Sequence, residues 1–141
     1  MKSQKNCEGV QIREMVMPEY LIDANILVYV LKGNSELSSF VEELDCAIDT
    51  TVYVELIQGA KNKKEVVAIE RTLKQFPLFH FDEYISQRTI SLIKMYSKSH
   101  GLMLGDALIA ATRIENRLSL VTFNNKDFRF IKGLKLFVPK L

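Results

Sequence analysis

The chain has little of what usually carries chemistry on its own. Of its 141 residues, two are cysteine, two are histidine and none is tryptophan. Cys7 and Cys46 form no CxxC pattern and have no histidine beside them, which argues against a thiolate zinc centre and a disulfide-stapled scaffold. Cys46, set among apolar residues, reads as a small core hydrophobe. His80 and His100 give imidazole chemistry little material to work with. No apolar run approaches the roughly 18 residues of a membrane span, and the first nineteen residues contain no apolar leader core. The reading is therefore a cytoplasmic protein with no membrane segment. Six glycines and three prolines punctuate the chain without any repeat or low-complexity tract.

The rest is an ordinary globular composition, 48% hydrophobic and 26% charged, at a length that suits one domain with one core. A net charge of +2 is too small to point to nucleic acid by itself. Lys126, Arg129, Lys132, Lys135 and Lys140 cluster against the single acid Asp127, and Lys61, Lys63 and Lys64 form a second basic stretch. Such clusters can attract phosphates, although a solvated surface has the same pattern. Residues 1–18 are polar and aperiodic, an expected loose extension ahead of a single domain over 19–141.

Within that domain, short apolar runs alternate with helical periodicity. Strands are expected at Tyr20–Ile22, Ala47–Ile48, Leu78–Phe81, Leu118–Thr122 and Leu136–Val138. Helices are expected at Asn25–Lys32, around Leu37, Phe40, Val41 and Leu44, from a Thr50-Thr51 cap to Ala60, and over Lys64–Gln75, Asp82–Lys98 and Leu104–Asn116. Strands separated by helices imply parallel pairing with right-handed crossovers. The expected fold is thus a three-layer α/β/α sandwich around a mostly parallel sheet of four to five strands.

Several acids sit badly in this pattern. Asp23 ends a strand that would otherwise continue from Ile22 into Ile26-Leu27-Val28, at the strand end where open parallel sheets form their ligand crevice. It could equally cap the helix that follows. Asp106 stands in Gly-Asp-Ala-Leu-Ile-Ala-Ala, near a helix start whose dipole favours it, but with no cation in the nearby sequence to offset its burial. Glu55 lies in Val-Tyr-Val-Glu-Leu-Ile; one exposed acid on an amphipathic helix is its simplest account. Thr122 and Asn124 leave the fourth strand as Asp23 leaves the first, and Asn also suits a turn there. Taken together, three acids from separate segments can converge at one strand-end crevice. Hard oxygen ligands of this kind suit Mg²⁺ or Mn²⁺, and such ions assist phosphodiester hydrolysis. The residues alone therefore point to an α/β, metal-dependent phosphoester hydrolase.

At these residues the sequence resembles the PIN-domain proteins, and among them the VapC-type ribonuclease toxins of prokaryotic toxin–antitoxin modules. The resemblance is carried by YLIDANILVYVL (Tyr20–Leu31), TTVYVELIQGA (Thr50–Ala60), LMLGDALIAATRIENRLSLVTFNNKDF (Leu102–Phe128) and GLKLF (Gly133–Phe137). It implies an endoribonuclease that needs Mg²⁺ or Mn²⁺, acts on RNA, is neutralised by a small antitoxin and forms a homodimer. By position it implies Asp23, Glu55 and Asp106 as the acidic triad and metal ligands, with Asn25 and Thr122 in support. Ala24 stands where many relatives have Thr, and Asn124 where some carry a fourth acid. Asn124 is expected at the pocket rim as part of the catalytic set. Asp127 is expected to cap a short helix beginning near Asn125, or else to act as an outer carboxylate at the site. The rival functions are a housekeeping PIN nuclease without an antitoxin, and a catalytically silent PIN module that binds RNA or protein.

Overall fold

The computed structural model describes residues 18–140; the expected extension, apart from Pro18, lies outside the described residues. Five strands form one sheet in the order β3-β2-β1-β4-β5: β1 Tyr20–Ile22, β2 Cys46–Asp49, β3 Leu78–Phe79, β4 Ser119–Val121 and β5 Leu136–Phe137. Every pairing is parallel. The central strands are buried on both faces, with Leu21, Ile22, Ala47, Ile48, Leu120 and Val121 all fully buried, which is why they read as continuous apolar runs.

The connecting helices are α1 Ala24–Leu31, α2 Ser35–Glu43, α3 Thr50–Gln58, α4 Lys63–Leu73, α5 Glu83–His100 and α6 Leu104–Asn116. The chain walks outward from β1 through β2 to β3, then crosses back to β4 on the other side of β1. Right-handed crossovers put α1–α4 over one face of the sheet and α5 and α6 over the other. This is the expected α/β/α sandwich, with five strands.

Short polar side chains start most of the helices. Asn34 accepts from Leu37 N at 3.0 Å, Asn62 from Glu65 N at 2.9 Å and Asp82 from Ile85 N at 2.8 Å. Most boundaries shift by one or two residues from the sequence reading, and two of the shifts change a role. The second strand runs on to Asp49, and Asp49, not Thr50 or Thr51, caps α3 by accepting from Val52 N at 2.9 Å. A carboxylate is the stronger acceptor for an orphan amide. The third strand stops at Phe79, leaving His80 and Phe81 outside it.

Cys46 is buried and its thiol is pushed up to about 12, by desolvation first and then by Asp45, so it behaves as the inert core residue expected. Phe128 is fully buried and anchors the loop after β4. Arg113, buried near the end of α6, donates to the carbonyls of Leu118 and Gly133 and ties that helix to the last crossover.

Helix α5 is closed by Gly101, whose φ of +70° turns the chain so that the Leu102 amide reaches back to Tyr96 O. An added Cβ would meet nothing within 4 Å there, so the left-handed backbone is the only objection to a side chain. Gly101→Ala is expected to cost about 1–2 kcal/mol, read as a lower urea midpoint at unchanged slope. An unchanged midpoint would show that the cap contributes nothing.

Candidate active site

The in-register pairing of the sheet lines up its carboxyl edge. Tyr20 pairs with Cys46 and Leu21 with Ala47, while Ile22 pairs with Val121. Carried forward by one or two residues, the same registers put Asp49, Asp23 and Thr122 in one row at the ends of β2, β1 and β4. Strand order reverses between β1 and β4, the usual ligand crevice of such sheets.

Asp23 is only 6% exposed. Its Oδ1 accepts from Ala24 N at 2.7 Å, and its Oδ2 accepts from the Thr122 hydroxyl at 2.8 Å and from Asn25 Nδ2 at 3.3 Å. The Thr122 Oγ1 in turn accepts from Asn25 Nδ2 and from Asn124 N, both at 3.0 Å. Asn25 Oδ1 accepts from Phe123 N at 3.1 Å. The two expected supporting residues thus bridge β1 and β4 and fix the Asp23 rotamer. Burial still wins over these bonds and raises the Asp23 pKa, with Asp127 adding to the rise.

Two helices bring further acids to this edge. Asp106 lies in the first turn of α6; its carboxyl is pushed up to about 6, by desolvation first and then by the charges of Asp23 and Asp127. Glu55, on α3, is raised by partial desolvation, then by Asp23, Asp106 and Asp49. A Cβ added to Gly105 would lie 3.6 Å from Glu55 Oε2, which puts that carboxyl against the start of α6. Asp23, Glu55 and Asp106 therefore share one field, and Asp127 joins it from the 3₁₀ turn Asn125–Asp127. No side-chain bond caps that turn, so the capping role expected of Asp127 has no hydrogen bond behind it. Asn124 is exposed at the rim, its amide held by Thr122.

Asp49 was not singled out in the sequence. It is fully buried, accepts from Thr112 Oγ1 of α6 at 3.2 Å as well as capping α3, and has its pKa raised by desolvation first. The buried Thr51 hydroxyl lies near it but makes no well-formed hydrogen bond. Asp49 thereby joins the helix that carries Glu55 to the helix that carries Asp106. The signal was available: Cys-Ala-Ile-Asp repeats the apolar-strand-then-acid pattern of Tyr-Leu-Ile-Asp.

Among the described residues no basic group forms an ion pair with this cluster, and the one ion pair is Arg88–Glu115. The donors are hard oxygens in a setting that disfavours bare negative charge, which suits Mg²⁺ or Mn²⁺. Among the described residues no three His, Cys, Asp or Glu side chains stand as a ready-made cage for one ion.

Beside Glu55, a groove of about 490 Å³ opens between α1 and the α3–α4 pair, its apolar lining including Val28, Leu31, Leu56 and Ile69. On α3 and α4, Leu56 and Leu73 are buried in the core and Val67 is 55% exposed. Among the described residues no helix is long and apolar enough to cross a membrane.

A parallel sheet with carboxylates massed beyond its central strands defines an α/β protein with an acidic, cation-suited crevice. Residues 20–134 match the PIN domain, and the chain belongs to the PIN-domain family. It is 32% identical over 120 residues to Ribonuclease VapC10 of Mycobacterium tuberculosis strain H37Rv, an alignment covering 82% of this chain and 90% of that protein. A toxin-antitoxin complex from Klebsiella pneumoniae contains a chain that superposes with a TM-score of 0.70 at 31% identity, covering 82% of this chain and 95% of that one. The structure of VapBC2 from Rickettsia felis bound to a DNA fragment from its promoter gives 0.74 at 25% identity, over 86% and 98%.

The raised carboxyl of Asp106 makes a pH signature. Its folded pKa of about 6 lies above the ordinary carboxyl value of 3.8, so the folded state binds the proton more tightly. Its stabilising contribution is complete below about pH 4 and is lost as pH rises to about 6. Asp23, Asp49 and Glu55, shifted the same way, act in the same sense. In metal-free buffer the melting temperature should fall across this window, and less steeply in Asp106→Asn. Parallel curves for the two proteins would show that Asp106 does not feel its neighbours.

Proposed function

We propose that this protein is a divalent-metal-dependent endoribonuclease that hydrolyses RNA phosphodiester bonds and serves as the toxin of a toxin–antitoxin pair. The observation that carries the reading is the un-neutralised acid cluster at the sheet's carboxyl edge, in a chain similar to a named ribonuclease and to the toxin-antitoxin complexes. Asp23 and Asp106 would hold Mg²⁺ or Mn²⁺, with Glu55 completing the acidic set. A bound ion would offset the carboxylates' repulsion of phosphate and make a water more acidic.

The chain's own groups do the rest. Thr122 and Asn25 hold the Asp23 carboxylate in one orientation. Glu55, the acid with the freest side chain, has a raised pKa that suits it to take a proton from the attacking water. The Asn124 amide, at the rim, can orient that water or a phosphate oxygen without adding charge. Asp127 adds a carboxylate behind them. The chain from residue 19 onward forms the nuclease domain.

The apolar groove next to Glu55 suits an antitoxin tail. Apolar side chains would fill it, and an Arg or Lys beyond them would reach the acids. A homodimer is part of the same reading, and sedimentation of a strict monomer at high micromolar concentration would contradict it.

Asp23→Asn and Asp106→Asn should each lower Mn²⁺-dependent cleavage of a single-stranded RNA by at least about 100-fold, while metal-free melting temperature holds or rises because like-charge repulsion falls. Metal-dependent cleavage retained by both variants would overturn the site. Asn124→Ala and Asp127→Ala divide the rim. Both should melt within about 2 °C of wild type, since no side-chain bond caps the turn, and both should cleave more slowly. A clear loss of stability in Asp127→Ala with cleavage intact would return Asp127 to a purely structural role.

A further inference from the structure

Next to the acid cluster stands an aromatic pair that the chemistry above does not use. Tyr29 lies one helical turn beyond Asn25 on α1, so the two share a helix face. Its ring meets Phe123 at a centroid distance of 5.6 Å and an interplanar angle of 84°. Phe123 sits between Thr122 and Asn124, and its amide is held by Asn25. The pair is thus rooted in the same hydrogen-bond network that orients Asp23. Tyr29 remains 43% exposed.

A lone exposed tyrosine is common and needs no explanation. This one differs in three respects. Its orientation is set by a second ring, and perpendicular packing leaves a ring face open in the pair. Through Phe123 it is joined to Asn25, which bonds the Asp23 carboxylate. The two segments that carry the pair also carry exposed lysines, Lys32 at the end of α1 and Lys126 in the turn after Phe123. An open aromatic face between a cation-suited phosphate site and basic side chains is the arrangement that takes an unpaired base with its backbone.

We infer that Tyr29, braced by Phe123, is a stacking platform for one unpaired base adjacent to the scissile phosphate. This deepens the reading above, on which it rests, and requires a base free to stack. A base inside a duplex is already stacked and cannot offer its face.

The test uses short RNAs carrying the fluorescent base 2-aminopurine, whose emission falls when it stacks. Binding is measured in the Asp106→Asn background, where cleavage does not intervene, with Tyr29→Phe, Tyr29→Leu and Tyr29→Ala added. Tyr29→Phe should keep the quenching. Tyr29→Leu, which still covers Phe123, and Tyr29→Ala should both lose it and weaken single-strand binding about tenfold, with kcat/KM on the same RNA falling alongside in the otherwise native protein. Quenching and cleavage unchanged in Tyr29→Leu would overturn the platform. So would intact RNA handling with weakened binding of a protein partner, which would make the pair a protein-docking surface. If Tyr29-dependent quenching is seen but wild type cleaves no RNA with Mg²⁺ or Mn²⁺, the platform stands and the nuclease reading fails.

Discussion

Four or five carboxylates gathered at one edge of a sheet repel one another, and the architecture around that edge limits the repulsion. Asp23 caps α1, Asp49 caps α3 and Asp106 lies in the first turn of α6, so three acids face helix N-termini, where partial positive charge accumulates. Three hydrogen bonds converge on Asp23 alone. These devices lower the cost without removing it, because the carboxyl pKa values of Asp23, Asp49, Glu55 and Asp106 all remain raised. The residual strain is electrostatic, and a hard cation is the kind of ligand that would relieve it.

Much of this was legible in the chain. Strand and helix order followed from apolar runs and from periodicity, because a parallel sheet buried on both faces leaves no polar alternation to confuse the two. Asp23 and Asp106 stood out because each interrupts a stretch that core packing would have filled with an apolar residue. Asp49 was overlooked for the opposite reason: Thr50 and Thr51 beside it offered a plausible cap, so the acid looked like ordinary turn chemistry. Only the register, which aligns Asp49 with Asp23 across β1 and β2, separates it from a surface acid. For Asp127 the sequence left a choice between capping and an outer carboxylate. Sequence position placed it in a first turn, but a 3₁₀ turn of three residues leaves that side chain no bonded amide, and its charge acts on Asp23 and Asp106 instead.

Position in the fold also separates two kinds of polar burial. Arg113 is buried without a carboxylate partner, yet it spends its donors on the carbonyls of Leu118 and Gly133 and so closes the amino end of β4. That is structural satisfaction of a charge by backbone. At the opposite end of the same strand, Thr122 gives its proton to Asp23 and accepts from Asn25 and Asn124, leaving nothing over for solvent. One end of β4 therefore resolves its buried polar groups internally, whereas the other uses them to hold a carboxylate in place.

The Asp49–Thr112 contact shows what keeps the two halves of the crevice in step. Glu55 and Asp106 come from helices on opposite faces of the sheet, so neither helix sets the other's position by direct succession in the chain. Asp49 bonds the amino end of α3 through Val52 and the body of α6 through Thr112, in a pocket with no solvent exposure. A neutral isostere would retain the shape but replace a charge-assisted acceptor with a weaker one. The buried acid thus costs desolvation locally, and in return it couples the two helices that carry Glu55 and Asp106.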